Sequence, residues 1–149
     1  MTLNMANHSP PNPGIDVFHK ERSKCIDAFV SVEVAVIQLL DLTSTKFGSE
    51  PFGRKVKALK EAKPTPQYSK ERKAKVDLLL VEAIDLFEVR NDLVHARLQL
   101  AIIGTDQRAC LTNARHCLAG SQTARLFTLD GLRAVARQAN ALAEALIKT

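Results

Sequence analysis

The longest run of helical spacing in the chain covers residues 69–98. Apolar residues recur there at intervals of three and four, which is the periodicity of an amphipathic helix. The stripe consists of Val76, Leu80, Ala83, Phe87, Val94 and Leu98, widened on one side by Leu79, Leu86 and Leu93. Ser69 is placed to cap the first turn. The pattern therefore predicts a long helix, called the motif helix below, with one broad buried face.

Three further segments have helical spacing. Residues 15–43 contain no Gly or Pro, although the alternating valines of residues 30–36 also fit a strand. We favour a helix there because both flanks are helical. A short helix is expected to begin near Pro51 and to stop before Pro64. The last helix is expected to run from a Thr128 cap to the end of the chain. Its apolar positions are Leu132, Val135, Ala136, Ala139, Leu142, Ala143 and Leu146.

The spacing changes between the motif helix and the last helix. Residues 99–103 and 108–118 have strand character, and residues 104–107 (Gly-Thr-Asp-Gln) are typical of a hairpin turn. The predicted fold is mainly all-α, a four-helix bundle with a short β-hairpin between the third and fourth helices. Residues 1–14, with three prolines and three asparagines, are expected to form a disordered tail before a single helical domain at residues 15–149.

Composition and charge narrow the class of protein only moderately. The 149 residues carry a net charge of +5 and a pI near 9.3, which permits an anionic partner such as RNA. The chain has no signal-peptide pattern at its start, and no apolar run approaches the roughly 20 residues of a membrane span. The three cysteines have no metal-ligand spacing, so we expect free thiols in a reducing compartment and a cytoplasmic protein without a metal site.

Residues 54–75 form the most basic segment. They contain nine Lys or Arg and two Glu. Most such runs are solvated faces, but a cluster beside the motif helix is also suited to following the phosphates of a nucleic acid. Arg54, Lys55 and Lys73 are the candidate phosphate contacts.

Three polar side chains lie near the end of the motif helix: Arg90, Asn91 and His95. Such groups are costly to desolvate at the margin of an apolar face unless they have partners or a function. An imidazole is the natural acid or base near neutral pH, and a guanidinium clasps phosphate oxygens. On an ideal helix, however, Arg90 points about 140° away from His95. One copy assembles a site poorly, whereas two copies packed across the motif helices would bring two Arg and two His together.

An Arg followed directly by Asn, with a His four residues after the Asn, resembles the motif of the HEPN superfamily. That motif is Arg, four to six residues, then His, usually with a polar residue after the Arg. The order of helices from about residue 15 onward, with the motif late in the third, also resembles the HEPN fold. The resemblance implies a metal-independent, cofactor-free endoribonuclease that acts as a homodimer. It implies that His95 is the acid–base group, Arg90 the phosphate clamp and Asn91 the positioning group.

The resemblance also implies a setting, either a toxin with a protein antitoxin or a phage-defence system. In HEPN toxins paired with a nucleotidyltransferase antitoxin, a Tyr follows the His by two positions. Arg97 occupies that place here, so control by modification of that Tyr is not expected, and Arg97 becomes a candidate phosphate contact.

Two alternatives to the ribonuclease stay open. One is a non-catalytic module that binds RNA or a partner protein through the same helix. The other is a structural helical dimer, in which Arg90 bonds a helix end or pairs with Glu88 or Asp85. In each case the apolar residues Val81 and Val89, outside the main stripe, predict a homodimer through the motif helix.

Overall fold

Four helices and a small sheet make up the structure, a computed structural model that describes residues 14–112 and 124–149. The elements in chain order are α1 (Gly14–Leu40), α2 (Phe52–Glu61), α3 (Lys70–His95), β1 (Arg97–Ile103), β2 (Asp106–Thr112), β3 (Arg125–Phe127) and α4 (Leu129–Lys148). The mainly α prediction is confirmed, and so is the β-hairpin after the third helix. None of the helices in these two ranges combines the length and apolar character needed to cross a membrane.

The helix α1 is continuous through the segment of alternating valines. Val32 and Val36, one turn apart, are buried, whereas Val30 and Val34 are exposed. The helix interpretation of residues 30–36 is therefore confirmed. The main partner of α1 is α4, which is capped as predicted because the Thr128 hydroxyl accepts a hydrogen bond from the Gly131 amide at 2.9 Å. The predicted apolar face of α4 is buried at Leu132, Ala139, Leu142, Ala143 and Leu146, and half-buried at Val135 and Ala136.

The short helix α2 lies antiparallel to α3 and buries one apolar face, which includes Phe52, Val56 and Leu59. Near its start, Gly53 lies against the ring of Phe87, where a Cβ would be 3.2 Å from Cζ. Near its end, the Lys73 ammonium donates to the carbonyl of Lys60 at 2.8 Å. The first turn of α2 therefore packs against α3 about one turn before Arg90. The last turn of α2 lies near the start of α3.

The motif helix is shorter than its apolar stripe predicted. It begins at the expected cap, where the Ser69 hydroxyl accepts a hydrogen bond from the Arg72 amide at 3.1 Å, but it ends at His95. Ala96 has an extended backbone, with φ −80° and ψ 148°, and the chain turns directly into β1. Leu98 is still buried, but it reaches the core from a strand. The helical period did not reveal the end of the helix, because Leu98 is buried in the core from β1 just as it would be from a longer α3.

The sheet is an antiparallel meander in the order β1-β2-β3. The hairpin turn is tighter than predicted, because β1 and β2 pair up to Ile103 and Asp106 on either side of Gly104 and Thr105. Gly104 has φ +65°, a conformation that favours glycine at the first position of a two-residue hairpin turn. The sequence did not predict β3, which adds three residues to the far side of β2.

Several predictions fall wholly or partly outside the described residues. They concern the tail, of which only Gly14 is described, the end of the second predicted strand at residues 113–118, and Cys117. Gly14 belongs to α1, and its amide donates to the side-chain oxygen of Gln107 in β2 at 2.9 Å. Cys25 and Cys110 are free thiols.

Candidate functional site at the end of the motif helix

Arg90 and Asn91 contact each other although they are sequence neighbours on different sides of the helix. The Arg90 Nη1 donates to the Asn91 Oδ1 at 3.3 Å, and both residues are half-buried. No carboxylate within residues 14–112 or 124–149 forms an ion pair with Arg90. The amide thus draws the guanidinium toward the Asn91 side of α3, and the described residues offer most of its N–H donors no other acceptor.

His95 is exposed on the last turn of α3. It lies one turn beyond Asn91, so the two side chains share a side of the helix. Its imidazole makes no hydrogen bond or ion pair in the part of the chain that the structure describes. Arg90 and Asn91 are therefore in contact, whereas His95 is placed near Asn91 only by the helical spacing.

A partly buried ion pair lies beside the motif and links the end of α3 to the sheet. Arg125 of β3 donates from Nε to the Asp92 Oδ2 at 2.5 Å, and its Nη2 is 4.0 Å from the Glu88 Oε2. The Asp92 side chain is 9% exposed and the Glu88 side chain 86% exposed. The carboxylates of this region are thus engaged by Arg125 rather than by Arg90. The alternative in which Arg90 pairs with Glu88 or Asp85 is not what the structure has.

Arg22 is a second arginine that sequence reasoning missed. It belongs to α1 and donates from Nε to the Leu93 carbonyl at 2.6 Å and from Nη2 to the Ala96 carbonyl at 2.7 Å. Burial lowers the pKa of the Arg22 guanidinium from its ordinary value. Neither Arg22 nor Arg125 has a local signal in the sequence, because each reaches the motif from a separate element.

The predicted phosphate contacts divide into two groups. Lys55 and Lys73 are used within the fold. The Lys55 ammonium lies 2.9 Å from the Glu33 carboxylate with its side chain 10% exposed, and Lys73 bonds Asp77 and the Lys60 carbonyl. Internal partners therefore occupy both charges, and contact of these two lysines with a substrate stays a prediction. Arg54 and Arg97 are exposed, so their charges remain accessible to solvent.

The same face of α3 that presents His95 also presents apolar side chains. Val81, Ile84, Glu88, Asn91 and His95 follow one another at intervals of three and four, which places them on one side of the helix. Val81 is 52% exposed and Ile84 46% exposed. Leu78 next to them is 76% exposed. Three neighbouring exposed apolar side chains thus continue the line of the motif along α3.

Among residues 14–112 and 124–149, no group of three or more His, Cys, Asp or Glu side chains is arranged to hold a metal ion. Comparison with known proteins gives no family model, curated protein or solved structure that matches this chain.

Proposed function

We propose that the protein is an endoribonuclease of the HEPN type, with Arg90, Asn91 and His95 as its site residues. One observation carries this proposal: the side chains of Arg90 and His95 are accessible to a ligand. Arg90 bonds a neutral amide instead of a carboxylate, and the imidazole of His95 is exposed one helical turn beyond that amide. By contrast, Arg22 and Arg125, which hold the end of α3 in place, both have backbone or carboxylate acceptors.

Metal-independent cleavage of RNA needs few groups besides an acid–base side chain and a cation that binds the phosphate. The 2′-oxygen of a ribose attacks the adjacent phosphorus, and the bond from phosphorus to the 5′-oxygen of the next nucleotide breaks. An imidazole accepts the 2′-hydroxyl proton or, in its protonated form, donates a proton to the leaving 5′-oxygen. His95 supplies this group. Arg90 holds the non-bridging phosphate oxygens as negative charge builds on them. Asn91 keeps the guanidinium on the His95 side of α3.

A second copy of the chain completes the site in this proposal. Leu78, Val81 and Ile84 offer an apolar surface on the face that carries His95, and covering it would exclude water from these side chains. A two-fold axis across this face brings the two motif helices side by side. Each imidazole then lies near the partner copy, which supplies the second acid–base group that one motif lacks.

RNA is the substrate class that the surrounding charge favours. Arg54 belongs to the first turn of α2, which packs against Phe87, about one turn of α3 before Arg90. Arg97 follows the motif as the first residue of β1. Exposed Lys57 and Lys60 extend the basic surface along α2. In this proposal these cations hold the strand on both sides of the scissile phosphate, and the protein acts in the cytoplasm, in a toxin–antitoxin or phage-defence setting.

A non-catalytic RNA-binding or protein-binding module is the second candidate function. One observation favours it: the imidazole of His95 has no orienting hydrogen bond within the described residues. A general base is usually fixed by such a partner. In the ribonuclease proposal, the RNA or the second subunit supplies that partner.

Cleavage of RNA by the pure protein in the presence of a chelator tests the proposal. The variant is His95→Ala, and His19→Ala is the matched control, because His19 is exposed on α1. We expect the parent and the control to cleave varied RNAs equally, and His95→Ala to be at least about 100-fold slower, the typical loss of a general acid–base group. If the parent binds RNA but leaves it intact, the binding module is the correct function. Cleavage that survives in His95→Ala removes His95 from the mechanism.

A further inference from the structure

The position of His95 depends on a junction that contains no loop. Helix α3 ends at His95, Ala96 is the single connecting residue, and β1 begins at Arg97. Ala96 is 4% exposed, and its amide donates to the Asp92 carbonyl at 2.8 Å. The backbone position of His95 therefore depends on the contacts that hold Ala96 in place.

Arg22 fixes the junction from α1. Its Nε and Nη2 donate to the carbonyls of Leu93 and Ala96, the residues two before and one after His95. Carbonyls at the end of a helix have no partner within the helix. A cation at that end also lies at the negative pole of the helix dipole. One guanidinium thus satisfies two carbonyls that bracket His95 and holds them at a set spacing.

Only an arginine can make this contact in full. The two bonds use different nitrogens of a planar group with a fixed fork geometry. A lysine reaches from a single nitrogen and lacks that fork, and an apolar side chain satisfies neither carbonyl. Without the clamp, the last turn of α3 has two fewer hydrogen bonds from α1, and the imidazole is free to move relative to Asn91.

We propose that Arg22 is a positioning residue of the Arg90–Asn91–His95 site, which holds the imidazole of His95 beside Asn91. The proposal rests on the ribonuclease function for its catalytic consequence. The orientation of the imidazole is a property of the protein alone and can be measured without RNA.

The catalytic test compares Arg22→Leu and Arg22→Lys with Arg137→Leu. Arg137 is an exposed arginine of α4 that makes no hydrogen bond or ion pair in the part of the chain that the structure describes. We expect kcat for Arg22→Leu to fall by about 10- to 100-fold with little change in KM, because a small misplacement of a catalytic group costs on the order of 100-fold. Arg22→Lys should lie between Arg22→Leu and the parent, and Arg137→Leu should match the parent.

The second measurement is the NMR signal of the His95 imidazole, assigned by its loss in His95→Ala. We expect this signal to shift or broaden in Arg22→Leu and to stay unchanged in Arg137→Leu. If Arg22→Leu does not fold, Arg22→Lys, which keeps the charge but has a single donor nitrogen, serves for the same comparison.

Each combination of results decides the matter. An imidazole signal that is unchanged in the Arg22 variant overturns the positioning role, whether or not the protein cleaves RNA. A changed signal with parental kcat also overturns it. A changed signal in a protein whose parent cleaves no RNA supports the positioning of His95 and refutes the ribonuclease function instead.

Discussion

Lys55 gives the sharpest test of the difference between a structural cation and a phosphate contact. Its ammonium lies 2.9 Å from the Glu33 carboxylate, with the Lys55 side chain 10% exposed and the Glu33 side chain 27% exposed. Breaking a fully buried pair costs about 3–5 kcal/mol, whereas exposed pairs contribute about 0–1 kcal/mol. Water still reaches Glu33 after the substitution, so we expect Lys55→Met to lower the free energy of unfolding by about 2 kcal/mol. Methionine is chosen because it keeps the apolar stem packed.

The measurement is a thermal or urea melt of Lys55→Met beside the parent. A loss of 2 kcal/mol lowers the melting temperature by roughly 6 °C in a chain of this size. The control is Arg54→Met, which removes the exposed neighbouring charge and should stay within about 0.5 kcal/mol of the parent. Glu33→Gln and the double variant then isolate the coupling between the two charges. Parental stability of Lys55→Met, together with weakened RNA binding, would refute the reasoning.

Three further predictions concern other parts of the fold. Burial raises the pKa of Tyr68 to about 12, above its ordinary value of about 10. The unfolded chain therefore loses the phenol proton first, and the parent should lose stability as the pH rises from about 10 to 12. Tyr68→Phe should remove that loss. At pH 7, Tyr68→Phe should change the free energy of unfolding by less than about 1 kcal/mol, because the described residues offer its hydroxyl no hydrogen-bond partner; a larger loss in a urea melt would contradict this. Sedimentation should show a dimer for the parent and a folded monomer for Val81→Asp and Ile84→Asp, and a monomeric parent at tens of micromolar would count against the shared site. Ser69→Ala should cost about 1 kcal/mol in a melt through loss of the helix cap, whereas Ser49→Ala, outside any helix, should leave the melt unchanged.

The sequence predicted the helices well because their apolar periods and caps are local properties. Ser69 and Thr128 cap the helices that they were expected to cap. The end of the motif helix was wrong by three residues, since Leu98 fits the helical period but belongs to β1. The strand β3 is three residues long, too short for a period to identify it.

The motif itself was visible in the sequence, but its surroundings were not. The partners of its helix come from distant positions, Arg22 on α1 and Arg125 on β3, and no local pattern marks them. The same limit applies to Lys55, because a basic run does not show which of its charges faces Glu33 of another helix. Charge counts identify a basic segment, whereas tertiary packing decides which of its members remain exposed.

The most direct test of the central claim is the thermal melt of Arg90→Ala, made on a preparation whose RNA cleavage is measured in parallel. Among the described residues, Arg90 bonds the Asn91 amide and pairs with no carboxylate. Its removal therefore breaks no ion pair there. The melting temperature should then stay within about 2 °C of the parent, while cleavage is lost. A fall of roughly 9–15 °C, the equivalent of 3–5 kcal/mol for a broken buried pair, would show that Arg90 holds the fold together and would contradict the proposed site.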